Sequence, residues 1–95
     1  MPLTLAELHA RSQRNRIDFL KTDLDICFTF ADLLETEIRM GDHKAAQRLR
    51  SKAEVGYATI AYLLLGVDEG SEKNEIQQRL DELRTRLDGF QGQLG

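Results

Sequence analysis

The stretch that decides the fold is residues 17–40, IDFLKTDLDICFTFADLLETEIRM. When each residue is turned by about 100°, as in an α-helix, the polar side chains fall in a single stripe: Lys21, Thr22, Asp25, Thr29, Asp32, Thr36 and Arg39. Apolar side chains cover well over half of the circumference. A helix that faces one neighbour needs an apolar face of only about 100°. We therefore expect this helix to touch two neighbours, or one neighbour and another chain.

The apolar side of this helix has two flanks. The Leu24 flank consists of Ile17, Leu20, Leu24, Phe28, Ala31 and Ile38. The Phe19 flank consists of Phe19, Ile26, Phe30, Leu33 and Met40. We expect Phe19, Phe28 and Phe30 to lie in the core. The alternative is that only one flank is covered, which leaves the Phe19 flank as a groove for an amphipathic helix of a partner or of a symmetry mate.

The segment before this stretch has two possible structures. Thr4 followed by Glu7 predicts a capping box and a helix that begins near Leu5. Leu5 and Leu8 are in phase with the Phe19 flank, but residues 11–16 contain no apolar side chain. We expect a continuous first helix over about 5–40, roughly 54 Å long, which would overhang its partners in a monomer and leave Leu5 and Leu8 bare. The alternative is that residues 5–16 fold back as a short fourth helix.

The rest of the chain predicts two more helices. Gly41 ends the first helix and Asp42 caps the second, which we expect over about 43–65. The last turns of this helix are apolar all round, so they should be enclosed by both other helices. The residues concerned are Ala58, Ile60, Ala61, Tyr62, Leu63, Leu64 and Leu65.

The third helix is expected over about 72–90, with one narrow buried face. Its apolar side chains follow one another at spacings of four and three, which is a heptad seam: Ile76, Leu80, Leu83, Leu87 and Phe90. Arg79 and Arg86 should pair with glutamates four positions earlier on the same helix. The predicted fold is all-α, an antiparallel three-helix bundle in a single domain over 1–95, with 1–16 as a possible helical arm and 91–95 as a frayed tail.

The hairpin between the first two helices resembles a tetratricopeptide repeat. In that family a turn Gly, here Gly41, is followed by small residues five and twelve positions later, here Ala46 and Ala53. Phe30 and Leu33 stand where the family places large apolar residues in its first helix. Small residues at such positions let two antiparallel helices approach closely.

The resemblance covers about residues 30–53 and departs from the family in several respects. The chain has a single copy, His43 and Arg50 replace the usual aromatics, and the closing Pro is absent. An array needs about three repeats to bury its faces, so a peptide-binding superhelical groove is not implied. What the resemblance implies is a repeat-like hairpin closed by the third helix, similar to three-helix domains that bind short helical segments.

The charge pattern argues against a nucleic-acid-binding protein. The net charge is −3 and the pI about 5.3. Counted by segment, the charge is +2 for 1–16, −4 for 17–40, +2 for 41–66 and −3 for 67–95, which fits helices that attract one another rather than one basic footprint. Arg11, Arg14 and Arg16 form the densest basic run. A small regulatory protein that binds nucleic acid through these three arginines is the alternative function.

No pattern of residues predicts a catalytic, cofactor or metal site. Cys27 lies in an apolar stretch without a basic neighbour, which favours a buried thiol over a nucleophile. His9 and His43 have no carboxylate or second His at the third or fourth following position. Asp23 intrudes on the apolar arc. It is either a boundary acid that reaches solvent or a basic side chain, or the centre of a small-molecule or metal site.

These observations favour a non-enzymatic helical protein–protein interaction module that self-associates through its first helix. The expected interaction surface consists of Leu5, Leu8, Phe19, Ile26, Phe30 and Leu33. Its partner would be a second copy, most simply in a homodimer, or the amphipathic helix of another protein. We expect no cofactor, and no membrane segment, since the longest apolar run is far too short to span a bilayer. The lone cysteine favours a reducing cytoplasm.

The close helical hairpin can be tested by overpacking. Ala46→Leu or Ala53→Leu should lower the free energy of unfolding by about 1–3 kcal/mol, because the larger side chain forces the two helices apart. Urea denaturation followed by circular dichroism measures this difference. Unchanged stability in both variants would mean that the helices do not approach closely at these positions.

Overall fold

A computed structural model describes residues 2–94 of the chain. Its helices are α1 (Leu5–Met40), α2 (His43–Leu64), α3 (Ser71–Gly89) and the single turn α4 (Gln91–Leu94), and the described residues contain no strand. α1 runs antiparallel to α2 and parallel to α3 in a body of 58 × 22 × 16 Å. The predicted all-α bundle of three main helices is confirmed. The tail that we expect to be frayed, residues 91–95, contains the helical turn α4. Its last residue, Gly95, lies outside the described residues.

The caps at the ends of α1 explain where it begins and ends. The hydroxyl of Thr4 accepts a hydrogen bond from the backbone N–H of Glu7 at 3.1 Å, and it donates to the Glu7 carboxylate at 3.0 Å. At the other end Gly41 has φ = 78°, a left-handed conformation that favours glycine. Asp42 then caps α2 by accepting from the N–H of Ala45 at 3.0 Å. The tight hairpin predicted from Gly41 and Asp42 is thus present.

α1 continues through its polar segment because those side chains hold the connection between α2 and α3. The amide of Gln13 donates to the carbonyl of Gly66 at 2.9 Å and accepts from the N–H of Asp68 at 2.8 Å. Arg16 donates to the carbonyl of Leu63 at 3.2 Å, near the end of α2. Groups left unpaired at the end of a helix need such partners. The polar residues of this run therefore bind backbone groups of the connection between α2 and α3. Residues 5–16 continue α1 and do not fold back as a separate helix.

The core lies where the three helices meet. α1 contributes the Leu24 side of its surface and α3 its heptad seam, while α2 contributes mostly small residues. The buried side chains are Leu20, Leu24, Cys27, Ala31, Leu34, Ala46, Ala53, Ile60, Leu64, Val67, Ile76, Leu80, Leu83, Leu87 and Phe90. Burial of apolar area is the main favourable contribution to such a fold. α3 has one narrow buried face, as its sequence predicts.

Ion pairs connect the helices more than the sequence predicts. We expected Arg79 and Arg86 to pair within α3, and this is wrong. Arg79 instead reaches Asp25 of α1 at 2.7 Å, and Arg86 reaches Asp32 of α1 at 2.6 Å. The two pairs have the same sequence offset because α1 and α3 run parallel in register. Both carboxylates are largely exposed, so each pair contributes little to stability but fixes the register.

A bidentate ion pair holds α2 against α3. Arg84 donates to both carboxylate oxygens of Glu54, at 2.7 and 2.8 Å. These hydrogen bonds hold the pKa of the Glu54 carboxyl below its usual value. The same guanidinium stacks over the ring of Tyr57, 4.8 Å from its centroid. Arg84 thereby forms hydrogen bonds with a carboxylate of α2 and also covers an aromatic ring of the same helix.

Several apolar side chains expected in the core lie on the surface instead. Phe19 is exposed, and Phe28 and Phe30 are only half-buried. Ala58 and Tyr62 of α2 are exposed, as is Leu65, which directly follows this helix. The prediction that the last turns of α2 are enclosed is wrong for these three residues, because both neighbours of α2 lie on one side of it. Ile60 and Leu64, which face those neighbours, are buried.

α1 and α2 approach closely where Gly56 faces Cys27. A methyl group at Gly56 would overlap the Cys27 sulfur atom. Cys27 is itself buried, so the sulfur cannot swing into solvent. Ala46 and Ala53, both fully buried on the same helix, extend this small-residue contact along α2. Close approach of two helices requires small side chains at the crossing.

The contact predicts that Gly56→Ala destabilises the protein by about 1–3 kcal/mol through overlap with the thiol. Cys27→Ala removes the sulfur and should make Gly56→Ala tolerable, so the two changes should not add. A double-mutant cycle of unfolding free energies measures this coupling. Additive effects would show that the overlap is relieved without involving Cys27.

Candidate interaction surface

The surface of α1 that faces away from α3 carries an apolar row at intervals of seven residues. We call this the heptad row: Leu5, Ser12, Phe19, Ile26, Leu33 and Met40. Every member is exposed, and five of the six are apolar. In the middle of the helix Phe19 is 53%, Ile26 45% and Leu33 46% exposed. A row repeating every seven residues along one face is the pattern by which one helix packs along another.

The six residues of the expected interaction surface all lie on this side of α1. Leu5, Phe19, Ile26 and Leu33 belong to the heptad row, Leu8 is exposed beside it, and Phe30 is half-buried between the row and α2. Of the two structures considered for the Phe19 flank, the exposed one is present. The Leu24 flank is the side that the other helices cover.

Beside the heptad row, threonines replace the apolar residues of an ordinary heptad seam. The hydroxyl of Thr29 donates to the carbonyl of Asp25 at 3.0 Å, and that of Thr36 donates to the carbonyl of Asp32 at 3.2 Å. Because these donors are satisfied within α1, covering them would leave no hydroxyl proton unpaired. The exposed face of α1 is accordingly better suited to burial than its composition indicates.

One edge of this face is basic and belongs to α2. The basic strip consists of Lys44, Arg48 and Lys52, which lie one helical turn apart and form no ion pair within residues 2–94. A shallow depression of about 270 Å³ lies between the two helices, bordered by Leu33 and Glu37 of α1 and by Arg48 and Lys52 of α2. Arg48 and Lys52 of the basic strip therefore lie directly beside the heptad row at Leu33.

The opposite edge is acidic and belongs to α1. The acidic row consists of Asp18, Asp25 and Asp32, each of which comes directly before a member of the heptad row. Asp25 and Asp32 pair with arginines of α3, whereas Leu33 borders α2. The acidic row and the basic strip thus lie on opposite sides of the heptad row.

Of the residues considered for chemistry, Cys27 and Asp23 lie one turn apart on α1, whereas His9 lies near the start of that helix. Cys27 is buried, and burial, assisted by the nearby Asp23 carboxylate, raises the pKa of its thiol to about 11. The thiol is therefore protonated at neutral pH and is a poor nucleophile. His9 contacts Asp68 at 2.7 Å, and Asp23 is half-buried. In the described part of the chain, no three His, Cys, Asp or Glu side chains cluster as metal ligands.

Two of the three arginines in the basic run form hydrogen bonds with other parts of the chain. Arg14 donates to both oxygens of Glu72, at 2.9 and 2.7 Å, and also to Asp18. These bonds, together with one from Lys21, lower the pKa of the Glu72 carboxyl. Arg16 is turned towards the carbonyl of Leu63. The run serves mainly to join α1 to the start of α3 and the end of α2.

Sequence reasoning missed two features of this surface. The seven-residue spacing of the heptad row was visible in the sequence but obscured by Phe30 and the polar run. The basic strip was visible as a stripe on α2, but its position beside the heptad row depends on the orientation of α2 about its own axis. The contact of Gly56 with Cys27 and the pairing of Glu54 with Arg84 set that orientation.

Comparison with known proteins gives no relative: no family model, curated protein or solved structure matches the chain. None of the helices within residues 2–94 combines the length and the hydropathy needed to cross a membrane.

Proposed function

We propose that this protein is a non-enzymatic interaction module that self-associates through the exposed face of α1. The observation that carries the proposal is the heptad row, because five apolar side chains share one exposed face along the whole helix. Single exposed apolar residues are common on monomers, but a contiguous apolar patch of several hundred Å² marks an interaction site. Such a row extends over about 50 Å of helix.

The occupant that we favour is a second copy of the chain. A helix with a heptad row can pack against an identical helix related by a two-fold axis, so that the same surface serves both partners. The three-helix body is rigid enough to present this face, since Gln13, Arg16 and the α1–α3 ion pairs hold α1 over most of its length. The cytoplasm is the proposed location, based on the lone free cysteine.

The alternative, a nucleic-acid-binding protein that uses Arg11, Arg14 and Arg16, is less well supported. Arg14 and Arg16 would have to leave carboxylate and carbonyl partners within the protein. A tetratricopeptide-like role for the α1–α2 hairpin stays a proposal as well. It rests on the fully buried Ala46 and Ala53, which close packing of any two helices would also require.

Sedimentation equilibrium at micromolar concentration tests the proposal, and we expect a homodimer. Ile26→Glu combined with Leu33→Glu should weaken association by roughly 100-fold, because two charges would have to be buried at the centre of the interface. The circular dichroism spectrum should stay helical, since both side chains are exposed in the monomer.

The matched control is Gln78→Glu combined with Thr85→Glu. These residues are also exposed and seven positions apart, but they belong to α3 and lie opposite its buried seam. This variant should associate like the parent protein. A strictly monomeric parent protein that binds nucleic acid with a steep dependence on salt would instead support the alternative function. Association lost only in the control variant would place the interface on α3.

A further inference from the structure

The exposed face of α1 and α2 has a fixed lateral order of charge. The heptad row of α1 lies in the middle of the face, with the basic strip of α2 on one side of it and the acidic row of α1 on the other. The three charges of the basic strip have no ion-pair partner within the described residues, although Glu37 borders the same depression as Arg48 and Lys52. Each aspartate of the acidic row pairs with an arginine, Asp18 with Arg14, Asp25 with Arg79 and Asp32 with Arg86, but the three carboxylates stay 63%, 71% and 70% exposed and can accept further hydrogen bonds from a partner.

This order discriminates between the two ways in which identical helices can face each other. If the two α1 helices were antiparallel, the two-fold axis would cross them at right angles and each edge would face its own copy. Basic strip would then meet basic strip, and acidic row would meet acidic row. If the helices are parallel, the axis runs along them and exchanges the edges, so that each basic strip meets an acidic row.

The positions along the helix agree with the parallel arrangement. Arg48 and Lys52 border Leu33, and Asp32 is the residue directly before Leu33. In a parallel, in-register pair, Leu33 of one copy lies level with Leu33 of the other. Arg48 and Lys52 of each copy then lie level with Asp32 of its partner, on the same edge of the interface.

We infer that two copies associate with their α1 helices parallel and in register, the basic strip of each facing the acidic row of the other. This inference rests on the proposed self-association and names its partner, its orientation and its source of specificity. Like members of the heptad row then stack in layers, Phe19 on Phe19 and Ile26 on Ile26. Opposite charge at the edges selects this arrangement over the antiparallel one, in which like charges would face each other.

Two charge-reversed variants test the pairing of the edges. The first carries Arg48→Glu and Lys52→Glu, and the second carries Asp25→Lys and Asp32→Lys. Each variant alone places like charges at both edges of its homodimer, so self-association should weaken by at least about 30-fold. In a mixture, both edges of the heterodimer regain opposite charges. We therefore expect an equimolar mixture to associate about as tightly as the parent protein.

A matched control carries the same charge change as the second variant, Asp68→Lys with Asp81→Lys, at exposed positions outside the acidic row. It should associate like the parent protein and should not pair preferentially with the first variant. If the parent protein is dimeric and both reversed variants are dimeric too, the inference is overturned while self-association stands. The same holds if the parent protein is dimeric and the mixture of the two variants does not associate. A monomeric parent protein would overturn both.

Disulfide trapping tests the orientation even if a reversed variant does not fold. Leu33→Cys and Phe19→Cys should each form a covalent homodimer on mild oxidation, because parallel helices place like residues opposite each other. Cys27 is buried, so the parent protein serves as the control and should not cross-link. In an antiparallel pair Phe19 would lie opposite Leu33. A disulfide that forms only in a mixture of the Phe19→Cys and Leu33→Cys variants, and in neither variant alone, would therefore overturn the inference.

Discussion

The backbone of α2 lies against α1 at Gly56, where the missing side chain leaves room for the thiol of Cys27. This contact sets the distance between the two helices and, with the pairing of Glu54 and Arg84, the rotation of α2 about its own axis. Ala46 and Ala53 continue it along the helix. With α2 so placed, α3 fills the remaining side of the core, and the basic strip comes to lie beside the exposed face of α1.

The same geometry leaves α1 incompletely covered. Its apolar arc is wider than two neighbouring helices can bury, since helices pack about 8–10 Å apart and each contact covers only a limited face. The Leu24 side is buried, and the heptad row faces solvent. The charged edges of this face come from different helices, so its lateral order is a property of the tertiary structure. The fold and the proposed function therefore both depend on how α2 packs against α1.

Much of the fold could be predicted from the sequence, because strong local signals agree with it. Gly41 and Asp42 mark the hairpin, and the four–three spacing from Ile76 marks the buried face of α3. The enclosure of Tyr62 and Leu65 was predicted wrongly because apolar composition does not show on which side of a helix its neighbours lie. The pairing of Arg79 with Asp25 was missed because local spacing favoured Glu75, whereas the register of α1 and α3 decides the partner.

The surface itself was predicted in part. Sequence periodicity placed Phe19, Ile26 and Leu33 on one flank, but it could not decide whether that flank is covered. The polar run before it suggested an arm or a break in the helix. Gln13 and Arg16 instead bind backbone groups of the α2–α3 connection, a role that depends on where another part of the chain ends.

The most direct test of the central claim, that the exposed face of α1 is an interface between copies, is methyl NMR on isoleucine-labelled protein over a dilution series. Ile26 lies on the exposed face, while Ile60 and Ile76 lie in the core. We expect the Ile26 signal to shift with concentration and the signals of Ile60 and Ile76 to stay in place. A protein whose diffusion shows association while the Ile26 signal is unchanged, or one that stays monomeric throughout, would contradict the claim.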